Sequence, residues 1–343
     1  MPANRTVRPA EAAKSSHEVL PPLCGGMPRE PETDPLLDFA HSVAAGLERN
    51  PPALECRFLY DEIGSRLFEE ICAQPEYYLT RTEAALLARH AAEICALAAP
   101  ATLLELGSGS STKTGTLLSA CLARGGPAHY LPVDVSESAL RQVAEEFPER
   151  YPGARVTPVH GTFEEAFPLL QNASPSLTLF LGSTLGNLDE PAATLFFRRL
   201  SRRIPRGDFL LLGVDLEKDR RLLEAAYNDA AGVTARFTLN LFARMNRELG
   251  SGLDLTGLEH LARWRPERRR IEIHARFRRP QTLRVAPLQR AFDLAAGELV
   301  LVEISRKFRL APLLAELARH GLRDRAIYTD EQNFFALLLL QKA

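Results

Sequence analysis

Glycines and polar side chains able to hold a nucleotide-like ligand follow a short apolar run near residue 105. Residues 103–106 have the length of a buried parallel strand, Gly107 and Gly109 follow at once, and apolar residues with helical spacing resume at Leu117. Glycines at such a turn let backbone N–H groups approach a ligand, because no Cβ stands in the way. The pattern predicts a strand, a tight turn and a helix arranged around the ligand.

Three classes of ligand use this arrangement, and the details favour one of them. A dinucleotide fingerprint needs a third glycine, but hydroxyl residues follow Gly109. A phosphate loop needs a glycine where Thr112 stands, although Lys113 fits it. S-adenosylmethionine (SAM) sites combine the glycines with an acidic residue before them, here Glu105, and a second acid at the end of the next strand, here Asp134. The residues therefore favour SAM.

Asp134 also fits a second interpretation. Its distance beyond the glycines is near the roughly 20 residues usual for a ribose-binding acid in such folds. The residues after it, from Ser136, have the pattern of a helix start, so Asp134 alone could be the N-cap of that helix. Both interpretations stay open at this point, and ribose binding is favoured.

The length, composition and charge of the chain limit the classes of molecule that it is expected to bind. With 343 residues, 45% hydrophobic and 25% charged, the chain has material for one large domain or two modest ones. A formal net charge of -1 argues against a general nucleic-acid binder and favours a small-molecule substrate. The longest apolar run, residues 334–340, is too short to span a membrane, and the N-terminus has no signal-peptide core. We expect no nucleic-acid or membrane partner, a monomer and a cytoplasmic location.

The five cysteines are scattered along the chain, at Cys24, Cys56, Cys72, Cys95 and Cys121. No C-x-x-C pair and no histidine at metal-ligand spacing accompanies them. The spacing predicts neither a metal site nor a disulfide framework, which agrees with a reducing compartment.

Strand-like and helix-like segments alternate after the glycine turn, with strands predicted at 155–160, 177–183 and 209–215. Such alternation predicts an α/β fold with a doubly wound parallel sheet. Ligands of these sheets lie at the carboxyl ends of the strands, so we expect one crevice lined by Gly107, Asp134, residues 161–163, residues 182–187 and Asp215.

From about residue 216 the alternation of strand-like and helix-like segments ends. Hairpin-like strands between 258 and 304 suggest an inserted α+β substrate-binding domain, after which strands at 322–328 and 334–340 close the main sheet as an antiparallel pair.

The N-terminal residues and three tyrosines before the glycine turn also allow a prediction. Residues 1–34 are rich in proline, glutamate and small residues without an apolar period, and we predict a flexible tail. Tyr60, Tyr77 and Tyr78 lie shortly before the glycine turn, and three such residues together favour the wall of a binding site over ordinary packing.

Seven motifs in colinear order carry a resemblance to a known family. They are FLYDEIGS (58–65), PEYY (75–78), ELGSGSSTKT (105–114), FLGSTLGN (180–187), AYNDAAGVT (226–234), NREL (246–249) and VEISRKFR (302–309). From about residue 36 to the C-terminus the chain closely resembles the histidine Nα-methyltransferases, the trimethylating enzymes of ergothioneine biosynthesis. The resemblance implies a Rossmann-like class I methyltransferase sheet with an inserted α+β substrate-binding domain.

The resemblance also implies a division of the chain and a reaction. Residues 35–81 and 217–307 would form the substrate-binding domain, and residues 82–216 and 308–343 the SAM-binding domain. The reaction implied is SAM-dependent Nα-trimethylation of L-histidine to hercynine, by positioning rather than by a strong catalytic base and without a metal. The residues that match the family's SAM contacts are Tyr60, Gly107, Lys113, Asp134, Thr162 and Phe163.

The substrate residues are implied in the same way. Tyr77, Asn187 and Tyr227 match those that hold the amino acid's carboxylate, and Glu303 and Ser305 match those that hold the imidazole. These two come from the resemblance, because alternation along a strand alone favours an outward-facing pair. The remaining match, Gly182, lies beside the methyl-accepting nitrogen in the family.

One position departs from the family, and three other functions stay open. Thr162 stands where the family has an aspartate that accepts a hydrogen bond from the adenine amino group, so SAM would bind more weakly, by about 1 kcal/mol. A relative could act on another aromatic amino acid such as tryptophan, with Ile273 shaping the ring pocket. A phosphate-loop NTPase would use Lys113 and Thr114 with Asp215 near magnesium. A sensor would bind SAM without turnover.

Overall fold

The structure, a computed structural model, describes residues 34–125 and 128–343. The predicted tail falls outside these residues except for Asp34. The described residues form ten α-helices: α1 (Pro35–Glu48), α2 (Glu62–Cys72), α3 (Tyr78–Ala98), α4 (Thr114–Leu122), α5 (Glu137–Arg150), α6 (Phe163–Leu170), α7 (Glu190–Ser201), α8 (Arg220–Ala225), α9 (Val233–Leu249) and α10 (Leu310–Arg319). Their strands are β1 (Thr102–Leu106), β2 (Ala128–Asp134), β3 (Ala154–Val156), β4 (Val159–His160), β5 (Ser176–Phe180), β6 (Phe209–Asp215), β7 (Leu258–Arg265), β8 (Arg270–Phe277), β9 (Gln281–Val285), β10 (Arg290–Leu294), β11 (Leu299–Arg306), β12 (Leu322–Thr329) and β13 (Phe335–Lys342).

The main sheet has the order β12-β13-β6-β5-β1-β2-β3, with β4 paired to β2 beyond the end of β3. β1 to β6 pair in parallel, whereas β13 runs antiparallel to both β6 and β12. Every residue of β1, β5 and β6 is buried, as expected when helices cover both faces of a parallel sheet. The predicted doubly wound α/β sheet and its antiparallel closing pair are confirmed.

A second group of strands lies between β6 and α10 in the sequence. β7, β8 and β11 form an antiparallel sheet of order β11-β8-β7, and β9 pairs with β10. Helix α9 packs on this sheet and also on α2 from the N-terminal part of the chain. Asp61, the N-cap of α2, accepts a hydrogen bond from the Asn240 side chain of α9 at 2.6 Å. These contacts support the predicted substrate-binding domain, whose boundaries stay a prediction.

Local backbone features explain where the elements differ from the predicted ones. The third predicted strand is two short strands, β3 and β4, separated around Pro158, which has no N–H to give to a ladder. The fourth ends early at Phe180, because Gly182 and Ser183 adopt left-handed φ angles of 70° and 56°. β10 was not predicted, although Phe292 and Leu294 are buried and alternate with exposed residues as in its partner β9.

The structure bears on two further expectations. No helix among the described residues has the length and apolar content needed to cross a bilayer. Cys56 is disulfide-bonded, although the spacing of the cysteines had not indicated a disulfide framework. Scattered cysteines leave no repeated spacing in a sequence, so their pattern could not indicate this bond. Cys72, Cys95 and Cys121 are free.

Candidate functional site

A cavity of about 870 Å³ lies at the carboxyl ends of the parallel strands and extends to the three-stranded sheet. All of the residues that the family resemblance assigned to SAM or to the substrate line it. They are Tyr60, Tyr77, Gly107, Lys113, Asp134, Thr162, Phe163, Gly182, Asn187, Tyr227, Glu303 and Ser305. Asp215 was expected in the same crevice, and this was wrong: the cavity lining does not include it, and Tyr78 and Lys218 bond its carboxylate.

The glycine turn and Asp134 form one hydrogen-bonded unit. The Gly109 N–H donates to Oδ2 of Asp134 at 2.8 Å, and the Ser136 N–H donates to Oδ1 at 2.9 Å. Burial raises the pKa of Asp134 above its ordinary value, although these backbone bonds oppose the shift. The helix N-cap is Ser136, so the interpretation of Asp134 as only an N-cap was wrong. Each carboxylate oxygen keeps lone-pair capacity toward the cavity.

The turn also has room for a ligand. Gly107 has a φ of 76°, and a Cβ there would lie 3.3 Å from the ring of Phe163. A Cβ on Gly109 would meet no atom within 4 Å, so its backbone borders open space. The Ser108 hydroxyl is buried and lacks a hydrogen-bond partner within the described part of the chain. An unpaired buried hydroxyl beside open backbone fits a polar ligand such as SAM.

Lys113 does not present a free charge to the cavity. Its ammonium pairs with Glu83, a fully buried residue of α3. Burial lowers the pKa of Lys113, but the Glu83 carboxylate more than offsets this and the net shift is upward. The Gly182 N–H donates to both Glu83 oxygens, at 2.8 and 2.9 Å. Glu83 thus joins the glycine turn to the loop after β5. Sequence reasoning missed it, because α3 carries no motif around it.

Thr162 has a structural reason to differ from aspartate. Its hydroxyl donates to the Glu165 carboxylate at 2.8 Å and accepts the Glu165 N–H at 3.4 Å. Together with the bond from the Thr162 N–H to that carboxylate, this is a capping box at the start of α6. One lone pair of the hydroxyl stays available, so Thr162 can still accept one hydrogen bond from a ligand.

The residues predicted to bind the amino-acid substrate lie across the cavity from the glycine turn and contact one another in pairs. The Asn187 side chain donates to Oε1 of Glu303 at 3.2 Å, and the hydroxyls of Tyr227 and Ser305 are hydrogen-bonded at 2.7 Å. The Tyr77 ring packs edge-on against the Tyr227 ring, with 5.9 Å between centroids. Groups predicted to hold a carboxylate therefore lie directly beside groups predicted to hold a ring.

Aromatic side chains form the wall between the two ends. The Tyr60 ring packs against Phe68 and Phe237, with centroid distances of 5.6 and 5.4 Å, and all three line the cavity. Tyr78 is absent from the lining, so its predicted place in the wall was wrong. Ile273 lies opposite Glu303 in the strand register but is packed in the core and does not line the cavity.

Comparison with known proteins identifies the family. A family model described as "Histidine-specific methyltransferase, SAM-dependent" matches residues 39–342. The chain belongs to this family. It is 44% identical to the histidine N-alpha-methyltransferase of Mycolicibacterium smegmatis over 297 residues, covering 87% of this chain and 92% of that one. It is 40% identical to the histidine N-alpha-methyltransferase of Mycobacterium tuberculosis over 306 residues, covering 89% and 95%.

A more distant relative is the ergothioneine biosynthesis protein 1 of Schizosaccharomyces pombe. It is 32% identical over 212 residues, which are 58% of this chain and 27% of that much longer one. Membership of the family confirms the predicted enzyme class and SAM as the methyl donor.

Replacing Glu303 with glutamine should stabilise the ligand-free enzyme at alkaline pH. Burial raises the pKa of Glu303 to about 7, against opposing effects of Lys307 and Asn187. Because the pKa is higher in the folded state than in the unfolded state, the associated stability is complete below about pH 4.5 and is lost as the pH rises through about 7. Such a shift corresponds to about 3 kcal/mol, and contact with cavity water reduces this to roughly 1–2 kcal/mol.

Urea denaturation at pH 5 and pH 8 measures this effect. Glu303→Gln should raise the free energy of unfolding relative to the parent at pH 8, and by much less at pH 5. Glu259→Gln is the control, because hydrogen bonds from Arg276 lower the pKa of that exposed carboxyl and no gain at pH 8 is expected. An equal change for Glu303→Gln at both pH values would contradict the expectation.

Proposed function

We propose that this chain transfers methyl groups from SAM to the α-amine of L-histidine, giving hercynine, the trimethylated product that begins ergothioneine biosynthesis. The observation that carries the proposal is the single cavity in which the residues matching the family's SAM contacts and those matching its histidine contacts meet. The names of the bacterial relatives, at 44% and 40% identity over most of both chains, support histidine as the acceptor.

The cofactor end of the proposed site is the glycine turn. Asp134 would accept hydrogen bonds from the ribose hydroxyls, Thr162 would accept one from the adenine amino group, and Phe163 would pack against the adenine. Tyr60, Gly107 and Lys113 would border the rest of the molecule. When bound, SAM supplies an electrophilic methyl group on a sulfonium.

The acceptor end is the network on the other side of the cavity. Tyr77, Asn187 and Tyr227 would hold the carboxylate of histidine, and Glu303 and Ser305 the imidazole. One Asn187 amide hydrogen is used on Glu303, which leaves the other for a carboxylate. In a small amino acid the carboxylate and ring lie close together, which agrees with the direct contacts between the two groups of side chains.

The chain's contribution to catalysis is positioning. Methylation needs a neutral amine, and burial beside a positive sulfonium lowers the pKa of an ammonium without a strong base. The substrate is held by its carboxylate and by its ring, which fixes the α-amine near Gly182. A reaction between two freely diffusing molecules thereby becomes a reaction between two oriented groups. Gly182 suits this place because it has a φ of 70°, where a side chain would be strained.

Methylation should stop at three methyl groups. Mono- and dimethylated amines regain a lone pair when they lose a proton, whereas the quaternary product has none. With excess SAM, mass spectrometry of the reaction mixture should show trimethylhistidine as the end product. Accumulation of a monomethylated product under the same conditions would contradict both the mechanism and the proposed product.

The proposal is tested by incubating the purified protein with SAM and each of the twenty amino acids, followed by mass spectrometry. A gain of three methyl groups on histidine alone supports it. Methylation of tryptophan or another amino acid instead would show that the residues assigned to the imidazole bind a different side chain. Binding of SAM without turnover would favour a sensor. The NTPase alternative is disfavoured because Glu83 neutralises Lys113 and Asp215 is paired outside the cavity.

A further inference from the structure

A buried lysine lies directly behind the acceptor end of the cavity. Lys307 follows β11 and is 2% exposed, and its side chain is not part of the cavity lining. Its Nζ donates to the Tyr227 hydroxyl at 2.8 Å and to Oγ of Ser305 at 2.9 Å, and it lies 2.8 Å from Oδ2 of Asp215. Lys307 lies within the motif at 302–309, but the resemblance gave it no role, and it touches two of the residues proposed to hold the substrate.

Lys307 is an ammonium in this setting. Burial lowers its pKa, but the charge of Asp215 and the bonds to Asp215 and Tyr227 more than offset that effect, and the net shift is upward. An ammonium has three N–H groups and no acceptor. The three contacts to Asp215, Tyr227 and Ser305 use all of them.

Hydrogen-bond accounting then restricts the two hydroxyls. Each hydroxyl has one hydrogen and two lone pairs, and Lys307 occupies one lone pair on each oxygen. The bond between Tyr227 and Ser305 uses one hydrogen and one further lone pair. The hydroxyl that accepts this bond has only its hydrogen left for a ligand. The hydroxyl that donates it has only one lone pair left for a ligand. Toward a ligand, the pair therefore offers one donor and one acceptor, never two donors.

The carboxylate of the substrate determines which of the two hydroxyls donates a hydrogen bond to the ligand and which accepts one. A carboxylate only accepts hydrogen bonds, so a tyrosine that presented a lone pair to it would be repelled. With the carboxylate at Tyr227, the Ser305 hydroxyl must donate to Tyr227 and present its own lone pair to the ring. The ring nitrogen at Ser305 must then carry a hydrogen.

We propose that Lys307 is a positioning residue that fixes the direction of these hydrogen bonds, so that Tyr227 donates to the substrate carboxylate and Ser305 accepts an N–H of the substrate ring. This inference rests on the proposed function and adds a requirement to it: the acceptor must carry a ring N–H as well as a carboxylate. A ring with only an acceptor nitrogen leaves the Ser305 lone pair unpaired, which is the kind of loss that gives strong discrimination.

The first test compares Lys307→Met with Lys218→Met by steady-state kinetics on histidine. Methionine keeps the unbranched shape of lysine but has no N–H. Lys218 is the matched control, because it also pairs with Asp215 but bonds Tyr78 instead of the two hydroxyls. Lys307→Met should raise the KM for histidine about 10-fold or more with kcat within about threefold, as expected for loss of binding shared by ground and transition states. Lys218→Met should leave KM within about twofold.

A substrate analogue separates positioning from general damage. Thiazol-4-ylalanine keeps an acceptor nitrogen and has no ring N–H. The parent enzyme should prefer histidine strongly, and the preference should fall about 10-fold in Lys307→Met, because Ser305 is then free to donate. If Lys307→Met does not fold, the triple variant Asp215→Asn/Lys218→Met/Lys307→Met removes every charge of the buried cluster and should show the same change, since replacing all partners is tolerated better than leaving one charge unpaired.

The bond direction is also measurable in the parent protein. Histidine labelled with ¹⁵N in the ring is bound together with S-adenosylhomocysteine, and NMR reports which nitrogen carries a hydrogen. The nitrogen whose signal shifts in Ser305→Ala should be protonated. An unprotonated nitrogen there, or an unchanged KM in a folded Lys307→Met enzyme, would overturn the inference while activity on histidine upholds the proposed function. Absence of any activity on histidine in the parent would reject the proposed function itself.

Discussion

Replacing Glu303 with alanine is expected to lower kcat/KM for histidine roughly 10³-fold while the affinity for SAM stays unchanged. Glu303 meets the cavity at its acceptor end, 3.2 Å from the Asn187 amide. Losing a buried, charge-assisted hydrogen bond to the substrate ring accounts for about 10²-fold. The rest follows from the ring's freedom to shift, since a small misplacement of the reacting nitrogen costs about another 10-fold.

Two comparisons make this result specific. Glu303→Gln keeps an acceptor for Asn187 but loses the charge, so its kcat/KM should lie between those of the parent and the alanine variant. Glu259→Ala removes a carboxylate from β7 that pairs with Arg276 and does not line the main cavity, and should leave kcat/KM within about twofold. Equal losses for Glu303→Ala and Glu259→Ala would mean that damage to the three-stranded sheet, rather than a lost ligand contact, explains the effect.

The fold was predictable wherever local sequence and tertiary environment agree. The apolar run at 209–215 became β6 with the same bounds, because a strand covered on both faces needs apolar residues throughout. The break after residue 216 also marked the inserted strands, since the apolar residues at every second position of β8, from Ile271 to Phe277, are all buried. Where the backbone departs from extended geometry, as at Pro158 and Ser183, alternation alone could not place the strand end.

The site was predictable where a motif is contiguous and not where contacts come from distant segments. The motif residues that the resemblance assigned to a ligand, such as Gly107 and Glu303, line the cavity, whereas Tyr78 of the second motif does not. Glu83 lies outside the quoted motifs, and its contact with Gly182 spans 99 residues. Lys307 lies within the motif at 302–309, but its contact with Asp215, 92 residues away, is visible only in the fold. Asp215 was misassigned because it ends a parallel strand, as ligand-binding acids do, but Lys218, three residues further on, and Lys307 and Tyr78 from distant segments already bond it.

Replacing Asp134 with alanine is expected to raise the dissociation constant for SAM about 10²-fold or more. Oδ2 of Asp134 accepts the Gly109 N–H of the glycine turn, and Oδ1 accepts the Ser136 N–H at the start of α5. Its loss removes the acceptors for a ribose diol and also releases the backbone that would lie against the cofactor. Isothermal titration calorimetry with SAM and with S-adenosylhomocysteine measures the change directly, without depending on turnover.

The structural part of this loss can be separated from the ligand part. Asp189→Ala removes another aspartate that accepts a backbone N–H, here from Ala192 at 2.9 Å, but from a helix N-cap that does not line the cavity. It should lower stability by about 1 kcal/mol and leave SAM affinity unchanged. Asp134→Asn keeps one carbonyl oxygen, so it should restore part of the turn and bind SAM with intermediate affinity. If Asp134→Asn binds SAM as tightly as the parent, the charge of Asp134 has no part in holding the ribose, and its role is limited to shaping the glycine turn.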